Sequence, residues 1–351
     1  MRIRTTACLL VSGLALGACS SSTEAGPIRG TVFDRPIPEE APADAFPLTG
    51  EPTDDPRFEQ PVVAVKIENT SSARPQAGLD AADIVYEEIV EGGVTRFAAL
   101  FHSELPAEVG PVRSARLVDV DILGPWGSLL VYSGAREDVT STLARADLIG
   151  LFPDAGPPAY SRAPDRPGSH DLMADLTVAL DVAGELPDLT PAPAPFTFAE
   201  EVPEDGTAGS ELEIAMSSSS RTGWEYDEAE GVYRRLQDGE PSVVTGDGVI
   251  GAANVVVILT DVGPGGCCDT AGSRFTATRF DGEGDAVLLR DGQRYDIRWR
   301  KPSATRHLEL VDTSGTVVPL RPGATWIHLA PVGAVPEPGA SDDASEAPSE
   351  G

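Results

Sequence analysis

The sequence predicts an α+β protein: an N-terminal α/β sandwich domain followed by a β-rich, mainly antiparallel C-terminal domain. Three observations carry this. Between residues 59 and 186, strand-like apolar runs alternate with helix-like ones, the order that builds layered α/β units. Between 211 and 332, short β-like runs are punctuated by Asp-Gly or Ser-Gly pairs, as in antiparallel hairpins. The stretch between them, 187–210, is rich in Pro and acidic residues and reads as a linker.

The chain opens MRIRTTACLLVSGLALGACSSS. Arg2 and Arg4 precede an apolar run and then Leu16-Gly17-Ala18-Cys19, the pattern of a secretory signal with small residues before the cut. The run is shorter than the ~20 residues a membrane span needs. The LGAC step resembles a bacterial lipoprotein signal, which implies that residues 1–18 are removed and Cys19 carries lipid. Residues 19–58 then read as the lipidated Cys and a flexible tether, and 333–351 as a disordered acidic tail. The expected location is extracytoplasmic, on a bacterial membrane, with contact through the N-terminal lipid only.

In the first unit, PVVAVKIEN is nearly continuous in apolar residues, as a strand buried on both faces is. Asp80 is placed to cap a helix through about Glu91, with Ala81, Ile84, Val85 and Ile89 on one stripe. VTRFAALFHS follows as a strand with Arg96, Ala98, Leu100 and His102 on one face. SLLVYSG reads as a third strand and REDVTSTLARADL as a helix. In the second unit the strand candidates run from WEYD to TWIHLA, with turns at Asp238-Gly239, Asp247-Gly248, Asp281-Gly282, Asp291-Gly292 and Ser314-Gly315. Trp224, Trp299 and Trp326 read as anchors of a β core.

A net charge of −30 argues against nucleic-acid binding, which relies on basic residues to neutralise phosphates. Lys66 and Lys301 are the only lysines among 26 basic residues, which reads as genomic base composition. Cys8 leaves with the signal, so Cys267 and Cys268, adjacent in GPGGCCDTAGS, remain. They read as a vicinal disulfide, with free thiols or a soft-metal site as alternatives. No metal site or cofactor is expected: HExxH, Gly-x-Ser-x-Gly and phosphate-loop motifs are missing.

VAVKIENTSSARPQAGLDAADIVYEEIVEGGVTRF, then GPVRSARLVDVD and a strand ending YSGA, resembles the YerB-type family of bacterial lipoproteins. WEYDEAEGVYRRLQDGEP and IRWRKPSATRHLELVDTSGTVVPLRPGATWIHLAP extend the resemblance over about residues 60–332. It implies an N-terminal and a smaller C-terminal domain of unknown function, with no activity to carry over. Where the family shows an Ala-Pro-His-Asn-like stretch, this chain has APDRPGSHDL with altered spacing, making Arg166 and His170 weaker candidates.

The candidate chemistry centres on GPVRSAR, residues 110–116. Pro111 suits a helix start, and a helix from about Val112 would bury Ala115, Val118 and Ile122. Arg113 and Arg116 in its first turn would oppose the helix dipole, so an anion is their expected partner, the alternative being pairing with local acids. Arg74 and Arg96 are placed to join them beyond the strand ends, with His102 a weaker candidate that also reads as structural. Glu87, Glu88 and Glu91 read as a solvated acidic helix face, with a general base or cation site as the alternative. The expectation is a binding protein for an anionic envelope polymer or envelope protein. The alternatives are a phosphate- or pyrophosphate-handling enzyme and an assembly scaffold. The sequence sets no oligomeric state.

Overall fold

The structure, a computed structural model, describes residues 45–336 apart from 147, 154–157, 185–188 and 269–273; of Cys267 and Cys268 only the backbone is described. The expected signal peptide, Cys19, the tether before 45, the tail beyond 336 and the cysteine pairing therefore lie outside the described residues.

β1 (Val63–Glu68) is buried at every position, as its unbroken apolar run requires. β2 (Ile84–Ile89) and β3 (Thr95–Phe101) follow, then helix α1 (Val118–Leu123), β4 (Leu129–Val131), helix α2 (Glu137–Arg145) and β5 (Ile149–Leu151). A hairpin of β6 (Tyr160–Arg162) and β7 (Leu172–Ala174) leads into α3 (Leu176–Ala183), N-capped by Asp175. After β8 (Thr207–Ala208) comes a second sheet: β9 (Glu211–Ser217), β10 (Ser220–Asp227), β11 (Val232–Gln237), β12 (Glu240–Pro241) and β13 (Gly251–Ala252). Then come β14 (Asn254–Thr260), the hairpin β15 (Val262–Cys268) and β16 (Arg274–Thr278), and the antiparallel β17 (Gly282–Arg290), β18 (Gln293–Lys301) and β19 (Glu309–Val311). β20 (Thr325–Pro331) is the last strand.

The architecture is sheet-rich and mostly antiparallel, with few helices. Strands from both halves of the sequence lie in one sheet, in the order β19-β18-β17-β14-β20-β2-β3-β1-β4-β5, with β8 beside β18. β20 is inserted between β14 and β2 and runs parallel to both. β3 lies antiparallel between β2 and β1, while β4 and β5 run parallel to β1. The carboxyl ends of β1, β2, β4, β5, β14 and β20 therefore point to one edge. On one face Val118, Ile122 and Leu123 of α1 and Val139 and Leu143 of α2 pack onto the sheet. On the other, Leu212, Ile214, Met216 and Trp224 of the second sheet join Leu176 and Ala179 of α3. Trp224, Trp299 and Trp326 are all core residues. Asp238-Gly239 and Asp291-Gly292 place both residues at positive φ, the type I′ geometry that closes two-residue hairpins.

Two expectations are corrected. Residues 80–91 form no helix: a 3-10 turn, Leu79–Ala81, runs straight into β2. Ile84, Val85 and Tyr86 favour strands, and pairing on both sides, with β3 and β20, outweighs the helical spacing. The GPVRSAR segment is also extended. Gly110–Pro111 is a cis bond, the Arg113 N–H donates to the Lys66 carbonyl, the Ala115 N–H donates to that of Gly134, and α1 starts only at Val118. Ala115, Val118 and Ile122 are nevertheless buried. Some residues of the stretches beside the two units touch the core. Leu48 and Thr49 are buried ahead of residue 59. In the 187–210 stretch Phe196 is buried and Arg290 donates to the Ala199 and Glu201 carbonyls.

Candidate functional site

Strand alternation puts Lys66 and Glu68 of β1, Glu88 of β2 and Arg96 of β3 on the face that carries α1. Register places Arg96 directly between Glu68 and Glu88, at the edge where the parallel strands end. Each acid is taken by another cation. Glu68 receives Arg113 Nε at 2.6 Å and Nη2 at 3.1 Å. His170 Nδ1 lies 2.8 Å from the same carboxylate, and the Thr70 hydroxyl donates to it at 2.9 Å. Burial pushes the Glu68 carboxyl up, but the bonds from Arg113, His170 and Thr70 outweigh it and hold it below the usual carboxylate range.

Glu88 accepts from Lys66 Nζ at 2.8 Å, and Asp119 at the start of α1 takes the same ammonium at 2.7 Å. All three side chains are fully buried. Asp119 also accepts the Arg116 backbone N–H at 2.6 Å, which fixes the entry to α1. Burial, then the Asp119 charge, pushes the Glu88 carboxyl up. Among the described residues its Oε2 has no hydrogen-bond partner.

Arg116 lies against Glu91 through Nε and Nη2 and donates from Nη1 to the Ser114 and Ala115 carbonyls. Arg113 and Arg116 are thus each paired with an almost fully buried carboxylate, the local pairing that was the alternative to an anion. Arg96 differs. Its Nη1 donates to the Ser114 carbonyl at 3.1 Å, and among the described residues no carboxylate lies within ion-pair distance. Burial, followed by the charge of Arg116, pushes its pKa down to about 10, against the opposing pull of the more distant Glu91 and Glu88 carboxylates.

The structure brings Arg96, Arg113, Arg116 and His170 together and leaves the other candidates elsewhere. Arg74 faces Asp238 at 3.7 Å, and its other charged neighbours are Arg235 and Glu87. Arg166 braces a loop through the Ala73 and Pro75 carbonyls. His102, at the opposite end of β3 from Arg96, is buried with Nε2 against the Gln60 carbonyl, a structural role. Glu87 and Glu88 form no solvated face: both are fully buried, on opposite sides of β2. Glu87 meets Arg235 at 3.0 Å, with His328 and Thr95 beside it.

The sequence reading missed the Lys66–Glu88–Asp119 triad. Its signal was present: a lysine inside a strand covered on both faces needs a buried counter-charge. Among the described residues no group of three His, Cys, Asp or Glu side chains is placed to hold a metal, and no helix is long and apolar enough to cross a membrane. A groove of ≈ 650 Å³ begins at Ser114 and Arg116. A larger cavity, ≈ 920 Å³, runs along β9 and β10 and holds none of the candidate residues.

Comparison with known proteins finds a family described as "Protein of unknown function (DUF3048)", whose N-terminal domain matches residues 48–186 and whose C-terminal domain matches 212–327. A Bacillus subtilis (strain 168) protein named "Putative lipoprotein YerB" is 27% identical over 314 residues, covering 84% of this chain and 88% of the relative. The crystal structure of YerB from Bacillus subtilis superposes with a TM-score of 0.70 at 26% identity, over 81% of this chain and 95% of that one.

Proposed function

This chain belongs to the DUF3048 family, whose function is unknown, and from that membership we propose a lipid-anchored binding protein of the bacterial envelope. It holds an anionic envelope component at the strand edge through Arg96, beside the carboxylate-paired Arg113 and Arg116. The anchor rests on LGAC at residues 16–19 and on the description of the Bacillus relative as a lipoprotein. The ligand reading rests on one observation: Arg96 is a largely desolvated guanidinium with a single carbonyl partner, flanked by two more guanidiniums. A guanidinium drawn largely out of water with no carboxylate in direct contact is costly, and an oxyanion supplies that contact.

The test is a thermal shift of the chain without residues 1–19, titrated with phosphate, pyrophosphate and anionic wall-polymer fragments. A ligand at a hundred times its Kd stabilises by ~2.7 kcal/mol. The shift should vanish in Arg96→Gln. Equal shifts in Arg96→Gln and the parent would remove Arg96 from the reading.

A second reading, phosphate-handling catalysis, has one feature in its favour. His170 Nδ1 on Glu68 forms a carboxylate–imidazole pair beside Arg113, the arrangement that orients a general base. Loss of turnover in His170→Gln with unchanged anion binding would bring that reading forward.

A further inference from the structure

We propose that the groove beside Arg96 takes an amphiphile: one anionic head attached to an apolar chain. This rests on the anion reading above and names the rest of the ligand.

The groove lies between the extended residues after Arg113, the start of α2 and the β15–β16 hairpin. Its volume, ≈ 650 Å³, is that of a small-molecule site. Two guanidiniums line it, from Arg116 and Arg136, and so does Glu91, the partner of Arg116. Arg96, outside the lining, donates to the carbonyl of Ser114, which is part of it, so one residue separates this cation from the groove. Arg136 is paired only with Asp138, an exposed pair that a ligand anion replaces at little cost.

The rest of the wall is apolar. Leu117, Val139 and Phe275 line it, and Leu117 is 47% exposed although large and hydrophobic. A side chain of that kind, between buried Ala115 and Val118, leaves apolar surface wet until something covers it. The outer wall is held in place from both sides. Phe275 of β16 lies under the Arg136 guanidinium, 3.5 Å from its ring centre, and the Thr276 hydroxyl donates to the Val90 carbonyl at 3.0 Å. Gly265 and Gly266 add bare backbone to this wall, which leaves room for a chain. Among the described residues Asp121 is the acid of the lining with no ion-pair partner, and burial pushes it up to about 6.

The experiment is isothermal titration of the full chain with hexyl phosphate, inorganic phosphate and hexanol, each below any micelle-forming concentration. Hexyl phosphate should bind ~50-fold more tightly than inorganic phosphate, the gain from burying about three methylenes. Leu117→Ser, a neutral change at an exposed position, should abolish that gain and leave inorganic phosphate binding unchanged. Equal affinities for hexyl phosphate and inorganic phosphate would overturn the amphiphile and keep the anion site. Hexanol binding as tightly as hexyl phosphate would overturn it too, by removing the head. Absence of binding by all three would sink both readings.

Discussion

The indole N–H of Trp224 donates to Nε2 of His328 across 2.9 Å, and this contact sets the charge of a buried cluster. A nitrogen that accepts holds no proton, so the imidazole proton sits on Nδ1, 3.2 Å from the Glu87 carboxylate. Burial favours the same neutral form, pushing the His328 pKa down. Burial also pushes Glu87 up, but the charge of Arg235 and the contact with His328 win and hold it at about 2. The cluster joins β2, β11 and β20, tying the second sheet to the first.

Trp224→Phe keeps the ring and deletes the donor. His328 Nε2 is then a buried acceptor with nothing to accept, at a cost of about 1–3 kcal/mol. Urea unfolding should show that loss; an unchanged midpoint would mean that water replaces the indole.

Lys66→Met leaves Glu88 and Asp119 buried against each other, and stability should fall by about 3–5 kcal/mol. Adding Glu88→Gln and Asp119→Asn should restore part of it, because the uncompensated charge is gone. A triple variant no better than Lys66→Met would show that packing, and not charge, sets the loss.

Glu88 and Glu87 pull stability in opposite directions as pH changes. The Glu88 pKa is raised from 4.5 to about 7, so its contribution is full below 4.5 and is lost as pH rises through about 7. That of Glu87 is depressed from 4.5 to about 2, so its contribution is full above 4.5 and is lost as pH falls toward 2. The stability of the parent minus that of Glu88→Gln should therefore decline between pH 4.5 and 7 and stay level below. A rising difference would show that Lys66 holds Glu88 ionised throughout.

Arg96 and Arg113 should separate binding from stability. Arg113→Met removes the cation from Glu68, whose side chain is 4% exposed and keeps only His170 and Thr70, and should cost about 1–3 kcal/mol. Arg96→Met strands no carboxylate and should cost under about 1 kcal/mol while abolishing anion binding. If both variants unfold alike, Arg96 is structural.

Much of this could be read from the residues. The buried strand around Lys66, the strand from Thr95 and the helix from Glu137 follow from hydrophobic pattern alone. The helix through Glu87 fails because a strand buried on both faces has no period of two, leaving a chance helical spacing unopposed. GPVRSAR was legible as a cationic locus but not as an extended one, since its hydrogen bonds run to Lys66 and Gly134. The acids that neutralise its arginines were hidden by distance along the chain: Glu68 lies 45 residues from Arg113, and Glu91 lies 25 from Arg116. Only the folded sheet brings them together.

The place of β20 bears on how the chain can be made. Its seven residues, Thr325–Pro331, follow every other described strand along the chain yet fill the middle of the sheet. A chain halted before Thr325 presents β2 and β14 as two bare edges, which are templates for pairing with other chains. Glu87 in such a chain also lacks His328. Synthesis runs from the N-terminus, so the sheet of this fold cannot close until Thr325–Pro331 has been made.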